Sequence, residues 1–352
     1  MKIALITDQH FGVRNDSIHF HEYFSKFYEN VFLPYLKDNN IETIVDLGDT
    51  FDRRKIINLH SLYLCKKYWF DKIENSNLFL HLIVGNHCTY FKNTNEINSP
   101  DLLLKNYKNI KVYSKPTEIE FDGCNIVLMP WMCQDNMQDA LDIIKTTSAQ
   151  VLLGHLELSG FEMYKGNIID HGMDTNIFEK FDVVCSGHYH HKSSRGNINY
   201  LGCPYEITWS DYGDQKGFHV FDTETRDLTF IPNPYKMFNK INYDDINGDM
   251  SKVSDSVLEQ YRETYIKIMV HNKANPYMFD QFIDRLEKLD LLGIQIIEDN
   301  IDLDIENDTD ITEGAEDTLS ILQKYVEHIE SDVDKKEVVK FLGELYSEAN
   351  NL

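Results

Sequence analysis

The segment Asp46-Leu47-Gly48-Asp49-Thr50-Phe51-Asp52-Arg53 constrains the fold more than any other part of the chain. It follows the apolar pair Ile44 and Val45, which predicts a buried strand that ends by breaking into a loop. Gly48 permits a tight turn, and Asp49 then presents a carboxylate at the strand tip. Because a carboxylate has two oxygens, Asp49 can bridge two cations. The segment therefore predicts a strand tip with metal-binding chemistry.

Four other apolar segments end in side chains of the same kind. The side chains at the five predicted tips are Asp8 and His10, Asp49, Asn86 and His87, His155, and His188 and His190. Carboxylate, imidazole and amide groups together suit divalent cations of intermediate hardness. The carboxyl ends of parallel strands meet at one edge of a sheet, so residues far apart in sequence can share a site. A single Gly-His after a strand is more often structural, but five such tips in order predict one metal centre.

The pattern of strands and helices predicts an α/β protein with a smaller unit at its end. Strands and helices alternate up to about residue 110, which indicates α/β layers. Short strands at 111–113, 118–121 and 125–129 then predict hairpins, because Pro116 and the Asp122-Gly123 turn separate them. Pro232-Asn233-Pro234 predicts a domain boundary. Beyond it, strands at 265–270 and 293–297 around a helix at 277–289 predict a small α/β unit.

The chain is strongly acidic, with a net charge of −24. Residues 298–317 contain ten acidic and no basic residues, which predicts an unpacked linker. Two amphipathic helices are predicted after it. Their apolar stripes are Leu319, Leu322, Val326 and Ile329, and Val338, Phe341, Leu342 and Leu345. This charge argues against unaided binding of nucleic acid, because phosphate contacts need cations.

The cellular environment is predicted from the cysteines and from the lack of long apolar runs. The six cysteines show no Cys-x-x-Cys spacing, which favours reduced thiols. No apolar run approaches the ~20 residues that a membrane helix needs. We therefore expect an intracellular protein without a membrane association.

The ordered motifs resemble those of the calcineurin-like metallophosphoesterases. They are Asp-x-His, Gly-Asp-x-Phe-Asp, Gly-Asn-His, Gly-His and Gly-His-x-His. The resemblance implies a four-layer αββα sandwich with two divalent metal ions, Mn²⁺ or else Mg²⁺. It implies that one ion is held by Asp8, His10, Asp49 and His190, and the other by Asp49, Asn86, His155 and His188.

The resemblance also implies roles for two residues beside the ligands. His87 would protonate the leaving oxygen as a general acid, and Asp52 would orient His87. Cys88 stands where the family usually has an acidic residue. Every predicted ligand is retained, so we interpret Cys88 as a change in the surroundings of the ligands.

The layout of the whole chain resembles the nuclease subunits of SbcCD-type double-strand-break-repair complexes. It implies a metallophosphoesterase nuclease core at 1–235, an α/β cap that binds DNA at 236–298, an acidic linker at 299–317 and a helical ATPase-binding segment at 318–352. The segments 131–133, 161–166 and 221–225 are most similar to the recombination endonuclease subunits of T-even-type bacteriophages.

This narrower resemblance implies a function and partners. The expected activity is that of a manganese-dependent exonuclease and endonuclease that acts on double-stranded DNA ends in recombination and DNA repair. The expected partners are an ABC-type ATPase with a coiled coil and a second copy of the chain in a homodimer. If the chain is phage-encoded, the expected location is the cytoplasm of the host cell.

Two alternatives and one set of DNA contacts stay open at this point. Arg53, Arg54 and Lys55 are the candidate contacts to DNA phosphates, although a solvated cationic turn explains them equally well. One alternative function is a metallophosphodiesterase or phosphatase acting on a small molecule or a protein, for which the C-terminal helices have no evident use. The other is a non-catalytic scaffold, and the retained ligands and His87 argue against it.

Overall fold

The structure is a computed structural model that describes residues 1–248 and 253–298, together with Val326 and Val338. The predicted acidic linker at 299–317 and helical segment at 318–352 lie outside the described residues, apart from these two valines. Residues 1–298 form one compact unit. Within the described part, no helix has both the length and the apolar character needed to span a membrane.

The strands of the described part are, in chain order, β1 (Lys2–Ile6), β2 (Thr43–Asp46), β3 (Phe79–Ile83), β4 (Ile110–Tyr113), β5 (Thr117–Phe121), β6 (Cys124–Met129), β7 (Val151–His155), β8 (Glu162–Tyr164), β9 (Asn167–Ile168), β10 (Val183–Gly187), β11 (Ser193–Arg195), β12 (Ile198–Tyr200), β13 (Gly217–Asp222), β14 (Leu228–Pro232), β15 (Phe238–Asp244), β16 (Tyr265–Asn272) and β17 (Gly293–Glu298). The helices are α1 (Val13–Asp16), α2 (Ile18–Phe27), α3 (Leu33–Asp38), α4 (Leu59–Cys65), α5 (Asp71–Asn75), α6 (Ser99–Leu103), α7 (Met137–Thr146), α8 (Asp255–Leu258) and α9 (Pro276–Glu287). Single π-helical turns at Tyr28–Phe32 and Lys66–Phe70 join α2 to α3 and α4 to α5.

Two six-stranded sheets form the core of the unit. The first has the order β14-β13-β1-β2-β3-β4, and the second has the order β11-β12-β10-β7-β6-β5. In the first sheet β1, β2, β3 and β4 run parallel. In the second sheet β6, β7, β10 and β12 run parallel. The carboxyl ends of the parallel strands therefore collect at one edge of each sheet.

The alternation of side chains along each strand builds the layers. Leu5 of β1 packs with Leu153 of β7 in the apolar core between the two sheets. Its neighbour Ile6 points the other way, into the core shared with α2 to α5. Leu152 of β7 packs on the outer face of the second sheet with Ile144 of α7. The result is the four-layer αββα sandwich that the resemblance implied.

The prediction of successive hairpins after residue 110 is wrong for the first pair of strands. Strand β4 pairs parallel with β3 in the first sheet, whereas β5 and β6 form a hairpin in the second. Pro116 therefore lies where the chain crosses between the sheets. The Asp122-Gly123 turn does join β5 to β6, and both residues have positive φ. A turn signal locates a break in the chain but does not identify the sheet that each strand joins.

A small α/β unit follows the core. Strands β15, β16 and β17 form a parallel sheet, and α9 packs on it through Phe279, Phe282 and Leu286. The sequence predicted β16, α9 and β17 but not β15. The start of β15 is bound by Glu206, whose buried carboxylate accepts the backbone N–H groups of Met237 and Phe238 at 2.7 and 2.9 Å. This carboxylate attaches the small unit to the core.

Substituting Glu206 with glutamine is expected to weaken the pH dependence of the free energy of unfolding. Burial raises the pKa of Glu206 from 4.5 to about 7, against the two backbone N–H groups that lower it. The folded chain thus holds this proton more tightly than the unfolded chain. Stability is therefore lost as the pH rises from about 4.5 to about 7, by at most about 3 kcal/mol, and is constant above that range.

Urea unfolding of both chains at about pH 5 and about pH 8 measures this effect. The free energy of unfolding of Glu206→Gln, relative to that of the parent chain, should be larger at the higher pH. An identical pH dependence of the two chains would contradict a raised pKa at Glu206.

Candidate metal centre

The five predicted strand tips meet where the carboxyl-end edges of the two sheets come together. The backbone N–H of His188, after β10, donates to both carboxylate oxygens of Asp8, after β1, at 3.0 and 3.1 Å. His155 at the end of β7 lies with its Nδ1 2.8 Å from the carbonyl oxygen of Leu47, after β2. These contacts join the first sheet to the second at the candidate site.

One group of potential ligands consists of Asp8, His10 and His190, whose ligand atoms lie within 4.8 Å of one another. The Nε2 atoms of His10 and His190 face each other at 3.0 Å. Burial, and then the charge of His10, lowers the pKa of His190 to about 4, so this ring is neutral. Its Nδ1 is buried and has no hydrogen-bond partner among the described residues. A neutral imidazole can offer a lone pair to a cation.

A second group consists of Asp49, His155 and His188. His155 Nε2 lies 3.1 Å from Asp49 Oδ2 and 2.8 Å from Asn86 Oδ1, and His188 Nδ1 lies 3.0 Å from the same amide oxygen. If Nδ1–H of His155 donates to the Leu47 carbonyl, the lone pair of Nε2 points at these two oxygens. Acceptors that converge in this way need a shared cation or a proton.

The electrostatics of His155 support the same conclusion. Burial acts to lower its pKa, but the carboxylate of Asp49, together with Asp8 and the carbonyl oxygen of Leu47, raises it to about 9. Burial also acts on Asp49, yet the neighbouring histidines hold its pKa well below the ordinary range. The site therefore favours positive charge beside Asp49. A metal ion that binds His155 has to replace the proton.

The backbone at the site is held in unusual conformations. Four of the candidate ligands have positive φ, namely Asp8 (51°), His10 (47°), Asp49 (54°) and His188 (86°). Such conformations cost about 1–3 kcal/mol each and cluster at functional sites. Two glycines allow the close approach of the tips: a Cβ on Gly85 would lie 2.2 Å from Asp49 Oδ1, and one on Gly187 would lie 2.0 Å from Thr7 Oγ1.

The donor set fits two divalent cations. All seven residues that the sequence predicted as ligands lie in or against the two groups, with Asn86 completing the second. Imidazole, carboxylate and amide donors are the mixture that suits Mn²⁺ and similar ions. The assignment of each residue to an ion stays a prediction.

His87 lies beside the two groups and contacts Asp49 and Asp52. Its backbone N–H donates to Asp49 Oδ1 at 2.8 Å, and its Nδ1 lies 2.5 Å from the carbonyl oxygen of Asp52. The carboxylate of Asp52 instead lies 3.3 Å from Nδ1 of His10. Burial acts to raise the pKa of Asp52, but His10, together with His87 and Arg53, lowers it. Asp52 thus contacts His87 through its main chain and His10 through its side chain.

The three candidate DNA-phosphate residues lie next to the metal loop and already have other contacts. Arg53 forms an ion pair with Asp16 at 2.7 Å. The ammonium group of Lys55 lies 5.7 Å from the ring centroid of Tyr90. A phosphate that binds Arg53 has to compete with Asp16.

Behind the ligands lies a buried network that the sequence did not predict. Gln9 donates from Nε2 to Asp46 Oδ2 at 2.7 Å and accepts from the hydroxyl of Tyr28 at 2.5 Å. The hydroxyl of Tyr205 donates to the carbonyl oxygen of Gln9 at 2.8 Å. Cys88 is also buried, and burial raises the pKa of its thiol to about 12, so it is neutral. The network holds the residue between Asp8 and His10 from inside the protein.

Lys216 supports the other side of the site and was also not predicted. It is buried, and its ammonium group lies 2.6 Å from Asp211 Oδ1 and donates to the carbonyl oxygen of His190 at 2.8 Å. Burial acts to lower its pKa, but Asp211, together with Cys203 and Asp214, raises it. No local sequence signal marks Lys216 or Gln9, because their partners lie in other elements of the fold.

Comparisons with known proteins identify one family and several similar chains. The family described as calcineurin-like phosphoesterase matches residues 1–192. Exonuclease subunit 1 of Enterobacteria phage T4 is 32% identical over 351 residues, which covers 99% of each chain. One subunit of the nuclease SbcCD from Staphylococcus epidermidis is 29% identical over 138 residues, covering 35% of this chain and 36% of that one. A solved archaeal phosphodiesterase covers 66% of this chain and all of its own, with 13% identity and a TM-score of 0.36, a similarity too weak to inform the fold.

Proposed function

Because the chain belongs to the calcineurin-like phosphoesterase family, we propose that it is a metal-dependent nuclease that hydrolyses phosphodiester bonds in DNA. The observation that carries the proposal is the convergence, from both sheets at one edge, of seven side chains of the types that bind metal ions. The relative that matches 99% of the chain is named an exonuclease subunit, which favours DNA as the substrate. Cleavage within the strand as well as from its end is part of the same proposal.

The proposed metal ligands follow the two groups. Asp8, His10, Asp49 and His190 would hold one ion, and Asp49, Asn86, His155 and His188 would hold the second. Mn²⁺ is the proposed ion, with Mg²⁺ as the alternative. When bound, such ions lower the pKa of a water molecule and withdraw charge from the phosphate oxygens.

The chain's own residues would orient the groups and supply the proton. With its Nδ1–H bound to the carbonyl oxygen of Asp52, His87 would deliver a proton to the leaving oxygen from Nε2. The bond from its backbone N–H to Asp49 fixes His87 relative to the ligands. Asp52 and Lys216 would keep His10 and His190 in place through the contacts described above.

We further infer that the nuclease acts with an ATPase subunit in the processing of double-stranded DNA ends. Both relatives are named as subunits, one of them of the SbcCD nuclease. The net charge of −24 supports a partner that supplies part of the affinity for DNA. The homodimer stays a prediction.

The experiment that tests the proposed function is a nuclease assay on linear duplex DNA, with Mn²⁺ and with or without the ATPase. We expect cleavage that stops when the metal is chelated and returns when Mn²⁺ is restored. Bis(p-nitrophenyl) phosphate and p-nitrophenyl phosphate serve as small substrates for comparison. If the phosphomonoester is hydrolysed fastest and DNA stays intact with the ATPase present, a small-molecule phosphatase replaces the nuclease as the function.

A further inference from the structure

An apolar groove of about 430 Å³ opens beside the candidate metal centre. Its wall nearest the ligands is the indole of Trp131, whose ring centroid lies 5.2 Å from that of His188 and 6.2 Å from that of His155. Leu156, the residue after His155, also lines the groove. A substrate group in the groove would therefore adjoin a phosphate at the metal centre.

The backbone of Trp131 is held by three hydrogen bonds. Its N–H donates to the carbonyl oxygen of Val84 at 2.8 Å. Its own carbonyl oxygen accepts from the side-chain amides of Asn95 and Asn136 at 2.8 and 2.9 Å. The indole extends from this anchored backbone and lies between the candidate ligands on one side and the groove on the other.

The chemistry of the groove selects an uncharged, flat group. Met132, Met137 and Met173 line it, and thioether side chains adapt to irregular shapes and contact aromatic rings favourably. Among its lining residues Glu157 carries the one charge, and it pairs with His171 at 3.3 Å. A carboxylate disfavours a second phosphate in the groove. The volume lies within the range of about 300–1,000 Å³ of small-molecule sites.

We propose that the groove is a nucleobase subsite, in which the base adjoining the scissile phosphodiester leaves the stack and lies against Trp131. This inference rests on the proposed nuclease function. Every base has an aromatic face, so such a subsite requires a base without reading its sequence. Unstacking is least costly at an unpaired or frayed end, so the subsite favours cleavage close to DNA ends.

The experiment uses the full chain, Mn²⁺ and short duplexes that carry one stable abasic residue at successive positions near either end. Of the two bonds that flank the abasic residue, one should be cleaved roughly tenfold more slowly than the same bond in unmodified DNA. A flat aromatic isostere that cannot form Watson–Crick pairs, such as difluorotoluene, should restore the rate. That rescue separates stacking in the groove from pairing in the duplex.

Two matched leucine variants connect the effect to the groove. Leu141 lines the groove and is 37% exposed, whereas Leu102 is 61% exposed and lies outside it. Leu141→Glu places a second carboxylate in the groove and should reduce the ratio of the rates on normal and abasic DNA toward one. Leu102→Glu should retain the full ratio.

The outcomes separate the subsite from the nuclease function. The subsite alone is overturned if the abasic residue does not change the rate of cleavage. It is also overturned if Leu141→Glu leaves the ratio of the rates on normal and abasic DNA unchanged. A chain that cleaves no DNA even with the ATPase present overturns the nuclease function, and the subsite falls with it.

Discussion

His87→Ala is expected to lower kcat for DNA hydrolysis by about 10²–10⁴-fold while the chain still takes up its divalent metal. His87 is partly exposed at the site, and its Nδ1 contacts the carbonyl oxygen of Asp52. It shares a third cluster with His10 and Asp52, outside the two groups of proposed ligands. Removing the imidazole therefore removes a proton donor and leaves the ligands in place. Steady-state cleavage of linear DNA measures the loss, and metal analysis of the purified variant measures the retained ions.

The leaving group provides a second test of the same role. Bis(p-nitrophenyl) phosphate releases a stabilised anion that needs little protonation, so His87→Ala should slow its hydrolysis much less than that of DNA. His60→Ala, at an exposed histidine, is the matched control and should behave like the parent chain on both substrates. Loss of bound metal in His87→Ala would make His87 a ligand. An equal loss on both substrates would exclude it as the general acid.

The residues that meet at the metal centre could be predicted because each carries a local signal. Asp8, Asp49 and His155 each follow or end an apolar strand, and strand ends are visible in the sequence. The rule that parallel strands share a carboxyl-end edge then places them together. The four-layer architecture followed from the resemblance, and the packing of the strands confirms it.

The contacts that support the ligands could not be predicted, because they depend on which elements become neighbours. Gln9 meets Asp46 across 37 positions, and Tyr205 meets Gln9 across 196. The predicted pairing of β4 was wrong for the same reason, because the local pattern of β4 does not reveal that its partner is β3. Asp52 was predicted to orient His87, which stays a prediction. The two residues meet through the main-chain carbonyl oxygen of Asp52 and not through its carboxylate, which the sequence could not reveal.

Asp49→Asn is expected to reduce the bound metal from two ions to at most one and to lower phosphodiester hydrolysis by about 10³-fold. The carboxylate of Asp49 lies 3.1 Å from His155 Nε2, and its other oxygen accepts the backbone N–H of His87 at 2.8 Å. Asparagine can retain the latter bond but removes the negative charge that two cations would share. A bound metal ion contributes several kcal/mol of transition-state stabilisation, which corresponds to about three powers of ten in rate.

The choice of asparagine keeps the fold of the loop. Asp49 has a φ of 54°, and asparagine is among the residues that best tolerate this conformation. Asp46→Asn is the matched control, because Asp46 is an equally buried carboxylate three residues earlier, at the end of β2. Burial raises the pKa of Asp46 to about 7, so this group is partly neutral already and bonds to Gln9, Gly48 and Thr50 instead of the ligands.

Titration of Mn²⁺ into the metal-free chains, followed by calorimetry, separates the two carboxylates. The Asp46 variant should still bind two ions, because the amide oxygen of asparagine can still accept from Gln9, and its main loss should be in the free energy of unfolding. The Asp49 variant should lose both the second ion and most of the rate of phosphodiester hydrolysis, because the single carboxylate of Asp49 would bind both ions. If Asp49→Asn binds two ions with unchanged affinity, Asp49 does not bridge them, and each group must then hold its metal without the shared carboxylate.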